Sequence, residues 1–263
     1  MRTVLAVLLC LVLVEGPVVA QDYSLGGGRY KKCLDKVATD PQGAHQQYRY
    51  WREVDEWQGG PALHCEALIL TALRQYSDAA QRLEQIVSEN LIADVTLQAT
   101  ILGQAGNAWI LAKKGDLALA ALDRAIAMND QDYELVVDRA RAHALLKDWP
   151  AALNDLDTVI EVAKPSADHR VLRAVANRHL GRYDAARADV DAALVISTNH
   201  GGALLERGIL KQLQGDVGGA RKDYVLVVTN NPNTDEAADA QSRLQKLDLK
   251  LESGAPAAPP ATP

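Results

Sequence analysis

The chain has 263 residues, of which 48% are hydrophobic and 24% charged, and its formal net charge is -6. A net negative charge disfavours binding to a phosphate backbone, so the composition argues against a nucleic-acid partner. The apolar content is sufficient for a buried core, and the scarcity of alternating apolar and polar residues indicates a core of helices.

The first twenty residues have the pattern of a secretory signal peptide. Arg2 precedes an unbroken apolar run from Val4 to Val14, and a helix-breaking segment at 15–17 comes before small and apolar residues at 18–20. The run is well below the roughly 20 residues that a membrane-spanning helix needs. We expect cleavage after Ala20 and an exported mature chain, periplasmic or secreted, with no membrane span.

Cys10 leaves a lipoprotein as a second interpretation of this leader. Leu9 occupies the position before the cysteine, where a lipidation signal has a small residue, and the remaining leader would be very short. We therefore prefer the signal peptide.

Two helices are predicted next, at 30–39 and 41–57, separated by Asp40-Pro41 and closed by Gly59-Gly60. They form a degenerate opening hairpin or cap. Cys33 lies in the first of these helices and Cys65 in the first helix of the following hairpin, so the two would be neighbours in a stack.

Cys33 and Cys65 are the two cysteines that remain after cleavage. An even pair in an oxidising compartment is typical of a disulfide. His64 keeps two alternatives open, a metal site with both cysteines or a cysteine–histidine nucleophile pair. The spacing matches no known metal cluster, so we predict a disulfide and no metal.

A period of 34 residues is the strongest pattern in the sequence. A small residue recurs at this interval, and an alanine follows each one twelve residues later: Gly106 with Ala118, Ala140 with Ala152, Ala174 with Ala186, and Gly208 with Ala220. An earlier copy, with Ala67 and Ala79, stands 39 residues before the next. Small residues let two helices approach closely, so each copy predicts a helical hairpin.

This pattern resembles the tetratricopeptide-repeat (TPR) family, whose 34-residue unit has a small residue in its first helix and an A-x3-F-x2-A-like stripe in its second. The segments 180–186 and 214–220 resemble the TPR inter-helix turn, and the resemblance covers roughly Ala62 to Pro232. The aromatic residue expected early in the first helix is absent, and the closing proline occurs only as Pro232. The resemblance implies an all-α, right-handed superhelix of about five hairpins with capping helices at both ends.

The end of the chain is predicted to hold a capping helix and a tail. Thr234 is suited to cap the helix, and Leu244, Leu247 and Leu251 share one of its faces. The tail is rich in Pro and Ala, a composition typical of disordered segments. The predicted organisation is a signal peptide (1–20), an N-terminal hairpin or cap (21–61), TPR repeats (62–233), a C-terminal capping helix (234–251) and the tail (252–263).

Oppositely charged residues keep the same period. Arginines precede aspartates by 16 residues in three copies, and the earliest copy has the charges exchanged: Arg139 with Asp155, Arg173 with Asp189, Arg207 with Asp223, and Glu66 with Arg82. The copy near Leu102 has alanine at both positions. Because these positions lie on facing helices of one hairpin, we expect structural ion pairs, with ligand binding as the lesser alternative.

TPR proteins commonly bind extended peptides in the groove lined by the first helix of each hairpin, and the resemblance implies the same surface here. The groove residues predicted by steps of i, i+4 and i+7 are Gly103, Asn107, Ile110, Val137, Arg141, Val171, Val175, Arg178, Leu205, Ile209 and Gln212. Asn107 and Arg141 are suited to bind a peptide backbone and a carboxylate. An ordinary mixed surface, or one covered by the tail or by a second copy, is the alternative.

The sequence contains no Walker, G-x-S-x-G, H-E-x-x-H or C-x-x-C motif. We therefore expect an exported protein–protein interaction scaffold that has a protein or peptide partner and no cofactor, and that is not an enzyme. A periplasmic envelope-assembly chaperone with transient clients is the first alternative. An enzyme or small-ligand-binding module is a remote one, and homo-oligomerisation is left open.

Overall fold

The computed structural model describes residues 27–162 and 166–252. These residues form thirteen α-helices and no β-strand, so the predicted all-α class is confirmed. None of the described helices combines the length and apolar character needed to cross a bilayer. The predicted signal peptide (1–20) and residues 253–263 of the predicted tail lie outside the described residues.

The helices follow one another with short connections. Their bounds are α1 Gly27–Thr39, α2 Pro41–Glu53, α3 Gly60–Ala72, α4 Tyr76–Ser88, α5 Val95–Leu111, α6 Gly115–Met128, α7 Tyr133–Leu145, α8 Trp149–Val162, α9 Ala167–His179, α10 Tyr183–Ile196, α11 Gly201–Leu213, α12 Val217–Asn230 and α13 Asp235–Glu252.

The described helices belong to two compact units, an N-terminal unit that ends at Lys147 and a C-terminal unit that begins at Asp148. In the N-terminal unit α3 packs against α4, α5 against α6, and α7 against both α5 and α6. In the C-terminal unit α9 packs against α10, α11 against α12, and α13 against both α11 and α12. We call α3, α5, α7, α9 and α11 the A helices, and α4, α6, α8, α10 and α12 the B helices.

Polar side chains fix where several helices begin. Asp94 accepts a hydrogen bond from the Leu97 amide at 2.7 Å and caps α5. Ser166 caps α9, accepting from the His169 amide at 3.2 Å. Such caps satisfy amides that have no partner inside the helix, so they set the helix start.

Each A helix is followed by a residue in the left-handed conformation. The residues with positive φ in these turns are Arg74 (61°), Lys113 (61°), Lys147 (64°), Gly181 (75°) and Gly215 (87°). This conformation ends the helix and starts the turn to the next helix.

The small residues of the period lie where two helices touch. A Cβ atom on Gly106 would lie 2.5 Å from Cγ of Leu122, and one on Gly208 would lie 2.5 Å from Cε1 of Tyr224. Leu122 and Tyr224 are both fully buried. Close packing of the two helices therefore requires the absence of a side chain at these glycines.

We expect Gly208→Ala to destabilise the protein by about 1–3 kcal/mol, because the new methyl group overlaps the buried Tyr224 ring. Gly218→Ala is the control, since the nearest atom to its Cβ position is 4.0 Å away. Urea denaturation measures both variants. Equal unfolding midpoints would show that the two helices do not pack as closely as described.

The first helix is attached to the next hairpin by a disulfide and a hydrogen-bonded histidine. Cys33 on α1 and Cys65 on α3 are joined through their sulfur atoms. The Tyr30 hydroxyl lies 2.6 Å from Nδ1 of His64, and Nε2 of His64 lies 2.7 Å from Oε1 of Gln104 on α5. Burial lowers the pKa of His64. The neutral ring therefore donates from Nε2 to Gln104 and accepts at Nδ1 from Tyr30.

These contacts bear on the alternative uses considered for Cys33, His64 and Cys65. The two sulfur atoms are bonded to each other, and both histidine nitrogens lie within hydrogen-bond distance of neighbouring side chains. Among the described residues no group of three His, Cys, Asp or Glu side chains is arranged to bind a metal ion.

We predict that the denatured, unreduced mature protein has no free thiol and that reduction releases two. Replacing both cysteines with serine is expected to lower the free energy of unfolding by about 3–4 kcal/mol, because the bridge closes a loop between residues 32 positions apart. A thiol assay and urea denaturation measure these quantities. Two reactive thiols before reduction would show that the pair is not bonded.

Candidate partner-binding surface on the A helices

The predicted groove residues all lie on A helices, but more than half of them are buried. The buried members are Gly103, Ile110, Val137, Val171, Leu205 and Ile209. Gly103, for example, leaves no space for a side chain, since a Cβ atom there would lie 2.5 Å from Cδ2 of Leu135. Neighbouring helices cover this part of the stripe, so these six residues contribute to packing and do not form an open surface.

In the N-terminal unit, Asn107 and Arg141 both bind an internal carboxylate, Asp138 on α7. Nδ2 of Asn107 donates to Oδ2 of Asp138 at 2.6 Å, and Nη1 of Arg141 donates to Oδ1. Asp138 is 8% exposed. Burial raises its pKa, while Arg141 and Asn107 act in the opposite direction because they favour the ionised form. The two side chains predicted to bind a peptide thus already have a partner.

The polar groove residues of the C-terminal unit are bound internally as well. Nε of Arg178 on α9 donates to Oε1 of Glu206 on α11, which is 3% exposed. Gln212 accepts a hydrogen bond from the Tyr224 hydroxyl at 2.8 Å. Val175 is half-buried and apolar, and it is the remaining predicted groove residue.

Asp138 and Glu206 were not singled out from the sequence. Each stands two residues before the small residue of its copy, and Gln104 has the same place before Gly106. The three side chains contact donors on the preceding A helix: His64 for Gln104, Asn107 for Asp138, and Arg178 for Glu206. A polar residue at a core-facing position of the period was the available signal.

The arginines of the predicted ion pairs bind buried aspartates in the C-terminal unit. Nε and Nη2 of Arg173 donate to the two carboxylate oxygens of Asp189 at 2.9 and 2.6 Å. Nη1 of the same arginine donates to Asp157 on α8 at 3.0 Å. Arg207 binds Asp223 in the same two-pronged way, at 3.0 and 2.7 Å. Arg173 therefore joins its own hairpin to the preceding B helix.

The N-terminal unit contains related pairs. Nε of Arg82 lies 3.1 Å from Oε2 of Glu66, which also accepts from the Tyr48 hydroxyl at 2.9 Å. Nη1 of Arg139 donates to Asp123 on α6 at 3.0 Å. Asp155 lies in the C-terminal unit, so the predicted Arg139–Asp155 pair stays a prediction. Asp123 stands 16 residues before Arg139, as Asp157 does before Arg173, which is a spacing the sequence analysis overlooked.

Several solved structures resemble this chain. A tetratricopeptide-repeat protein from Parabacteroides merdae has 15% identity and a TM-score of 0.67, with 89% of this chain and 86% of that chain covered. The APC/C hetero-tetramer Cut9-Hcn1 has 17% identity and a TM-score of 0.62, with 88% and 44% covered. YrrB, described as a TPR protein with an unusual peptide-binding site, has 16% identity and a TM-score of 0.50, with 74% and 97% covered.

No model of a known protein family matches the sequence, and no curated protein matches it. At these identities the structural likeness shows the fold alone. The chain has the TPR fold, and the predicted fold class is confirmed.

We expect Arg173→Ala to destabilise the protein by about 2–4 kcal/mol, because Asp189 is 4% exposed and loses its two-pronged partner. Arg187→Ala is the matched control, since the Arg187–Asp184 pair is exposed to solvent. The control should change stability by less than about 0.5 kcal/mol. If urea denaturation finds Arg173→Ala as stable as the parent, the arginine is not a structural partner.

Proposed function

We propose that this chain is an exported, non-catalytic scaffold that binds a polypeptide partner on the A-helix side of its hairpins. The TPR fold is the observation that supports this proposal. Two of the similar structures are described by a peptide-binding site and by a multi-subunit assembly. Export rests on the leader at residues 1–20, whose pattern is that of a signal peptide.

The proposed contact region is smaller than the predicted groove. In the C-terminal unit, Leu172 and Val175 on α9 are apolar and half-buried, so each leaves part of its side chain accessible. Arg178 on the same helix is bound to Glu206. A partner would therefore contact apolar side chains flanked by a fixed ion pair, an arrangement that needs little ordering of long side chains on binding.

A chaperone or accessory factor with transient clients would use the same surface with weaker binding to several partners. An enzyme stays the remote alternative. The buried carboxylates Asp138, Asp189, Glu206 and Asp223 are each bound by an arginine of the chain. Carboxylates engaged in this way are typical of structural groups, and catalytic groups converge on a cleft instead.

The contact region is tested by Val175→Arg, with Val195→Arg as the matched control on a B helix, where the valine is 84% exposed. We expect crosslinking and affinity capture from the extracytoplasmic fraction of the source cells to recover defined proteins with the parent and with the control. Val175→Arg should lose them, because the guanidinium group occupies the apolar contact. Replacing Arg178 with Glu would be uninformative, since it places a second carboxylate beside buried Glu206.

Capture of the same proteins by all three chains, or of none, would contradict binding at this part of α9. Circular dichroism and urea denaturation of both variants ensure that a lost partner does not reflect a lost fold.

Export makes a separate prediction about the N-terminus. The protein recovered from outside the cytoplasm should begin at Gln21, because cleavage is expected after Ala20. Intact-mass analysis and N-terminal sequencing measure this directly. A protein that retains residues 1–20 and fractionates with the cytoplasm would contradict export.

A further inference from the structure

Three successive turns of the N-terminal unit carry a basic residue at a position that favours glycine. Arg74, Lys113 and Lys147 follow α3, α5 and α7 with φ angles of 61°, 61° and 64°. Gly181 and Gly215 occupy the equivalent positions after α9 and α11. The last four of these residues are spaced by 34, the period of the repeat.

A side chain at a left-handed position costs free energy that glycine avoids. A cation near a helix C-terminus gains some of this back from the helix dipole. That gain does not require the left-handed position, however, because α9 and α11 carry Arg178 and Lys211 within their last turns and keep glycine in the turn. The basic residues of the N-terminal unit therefore have a cost that the helix ends alone do not explain.

These three cations also differ from the arginines of the A helices. Arg74, Lys113 and Lys147 are all exposed. In the described part of the chain none of them forms an ion pair or a side-chain hydrogen bond. Arg141, on an A helix of the same unit, is bound to Asp138. The charges of the three turn residues are thus available to an external partner in a chain whose net charge is negative.

The topology places the three turns along one edge of the N-terminal unit. Helix α4 packs against α3 and α5, and α6 packs against α5 and α7, so α3, α5 and α7 run in the same direction and end on the same side. Helix α5 packs directly against α7. Packed helices lie about 8–10 Å apart, which sets the approximate spacing of successive turns.

We propose that Arg74, Lys113 and Lys147, which we call the cationic turn edge, bind an extended acidic segment of the partner polypeptide. An extended chain advances about 3.3 Å per residue, so acidic residues about three positions apart match the spacing of the turns. This inference rests on the proposed scaffold function and adds a second contact region with a defined partner chemistry.

Carboxylates beside the edge favour a polypeptide over an anionic membrane. Asp78 and Asp116 lie exposed in the first turns of α4 and α6, close in sequence to Arg74 and Lys113. A flat anionic surface would approach these aspartates as well as the cations. A single extended chain can place its carboxylates at the cations alone.

The test uses the full mature protein and a fluorescein-labelled peptide of repeating Glu-Gly-Ser, with a Gln-Gly-Ser peptide as the neutral probe. Fluorescence anisotropy is expected to show salt-sensitive binding of the acidic peptide and none of the neutral one. The triple variant Arg74→Gly, Lys113→Gly, Lys147→Gly should bind about tenfold more weakly, since three exposed ion pairs are lost. Its unfolding midpoint should not fall, because glycine relieves the left-handed strain.

The matched control is Lys32→Gln, Lys222→Gln, Lys246→Gln, which removes three exposed cations from other positions. This control should bind the acidic peptide as the parent does. Equal affinity of the turn variant and the parent, or equal loss in both triple variants, would overturn the proposal. Binding to vesicles of anionic phospholipid without binding to the peptide would also overturn it.

The outcome is separable from the proposed function. If the turn variant still captures the partner proteins that Val175→Arg loses, the cationic turn edge is wrong while the A-helix surface stands. If Val175→Arg captures them and the turn variant does not, the edge stands and the A-helix contact fails.

Discussion

A carboxylate that is removed from water inside a helical hairpin needs a cation or several hydrogen-bond donors within reach. Four carboxylates of this chain are in that position: Asp138, Asp189, Glu206 and Asp223, each no more than 8% exposed. Every one of them is bound by an arginine from an A helix. Because Arg178 reaches the next A helix and Arg173 also reaches the preceding B helix, the same requirement connects neighbouring hairpins.

The sequence was sufficient for the hairpins and insufficient for the surface. Gly106 and Gly208 recur because a Cβ atom at either would overlap a buried side chain of the facing helix, and such local packing leaves a fixed period. The partner of Arg178 leaves no comparable mark, since Glu206 is 28 residues away and lies on another hairpin. Periodicity identifies a helix face, but it does not tell whether a polar side chain on that face points to solvent or to a buried carboxylate.

The cations of this chain therefore fall into two groups with different consequences. Those on the A helices neutralise buried carboxylates, as Arg178 does for Glu206, and substitutions there act through stability. Those of the cationic turn edge are exposed and lie at positions where glycine would cost less, so substitutions there should act through binding. A scaffold divided in this way can vary its partner contacts at the turns without disturbing the interactions that connect its hairpins.

The Arg178–Glu206 pair tests this account most directly, because it connects two A helices and involves a residue that sequence analysis assigned to a peptide groove. A double-mutant cycle of Arg178→Ala and Glu206→Gln by urea denaturation measures the coupling between the two side chains. The account predicts a coupling free energy of about 2 kcal/mol or more, as expected for a buried, hydrogen-bonded charge pair. A coupling near zero would mean that the arginine is not an internal partner, and Arg178 would again become a candidate for direct contact with the bound polypeptide.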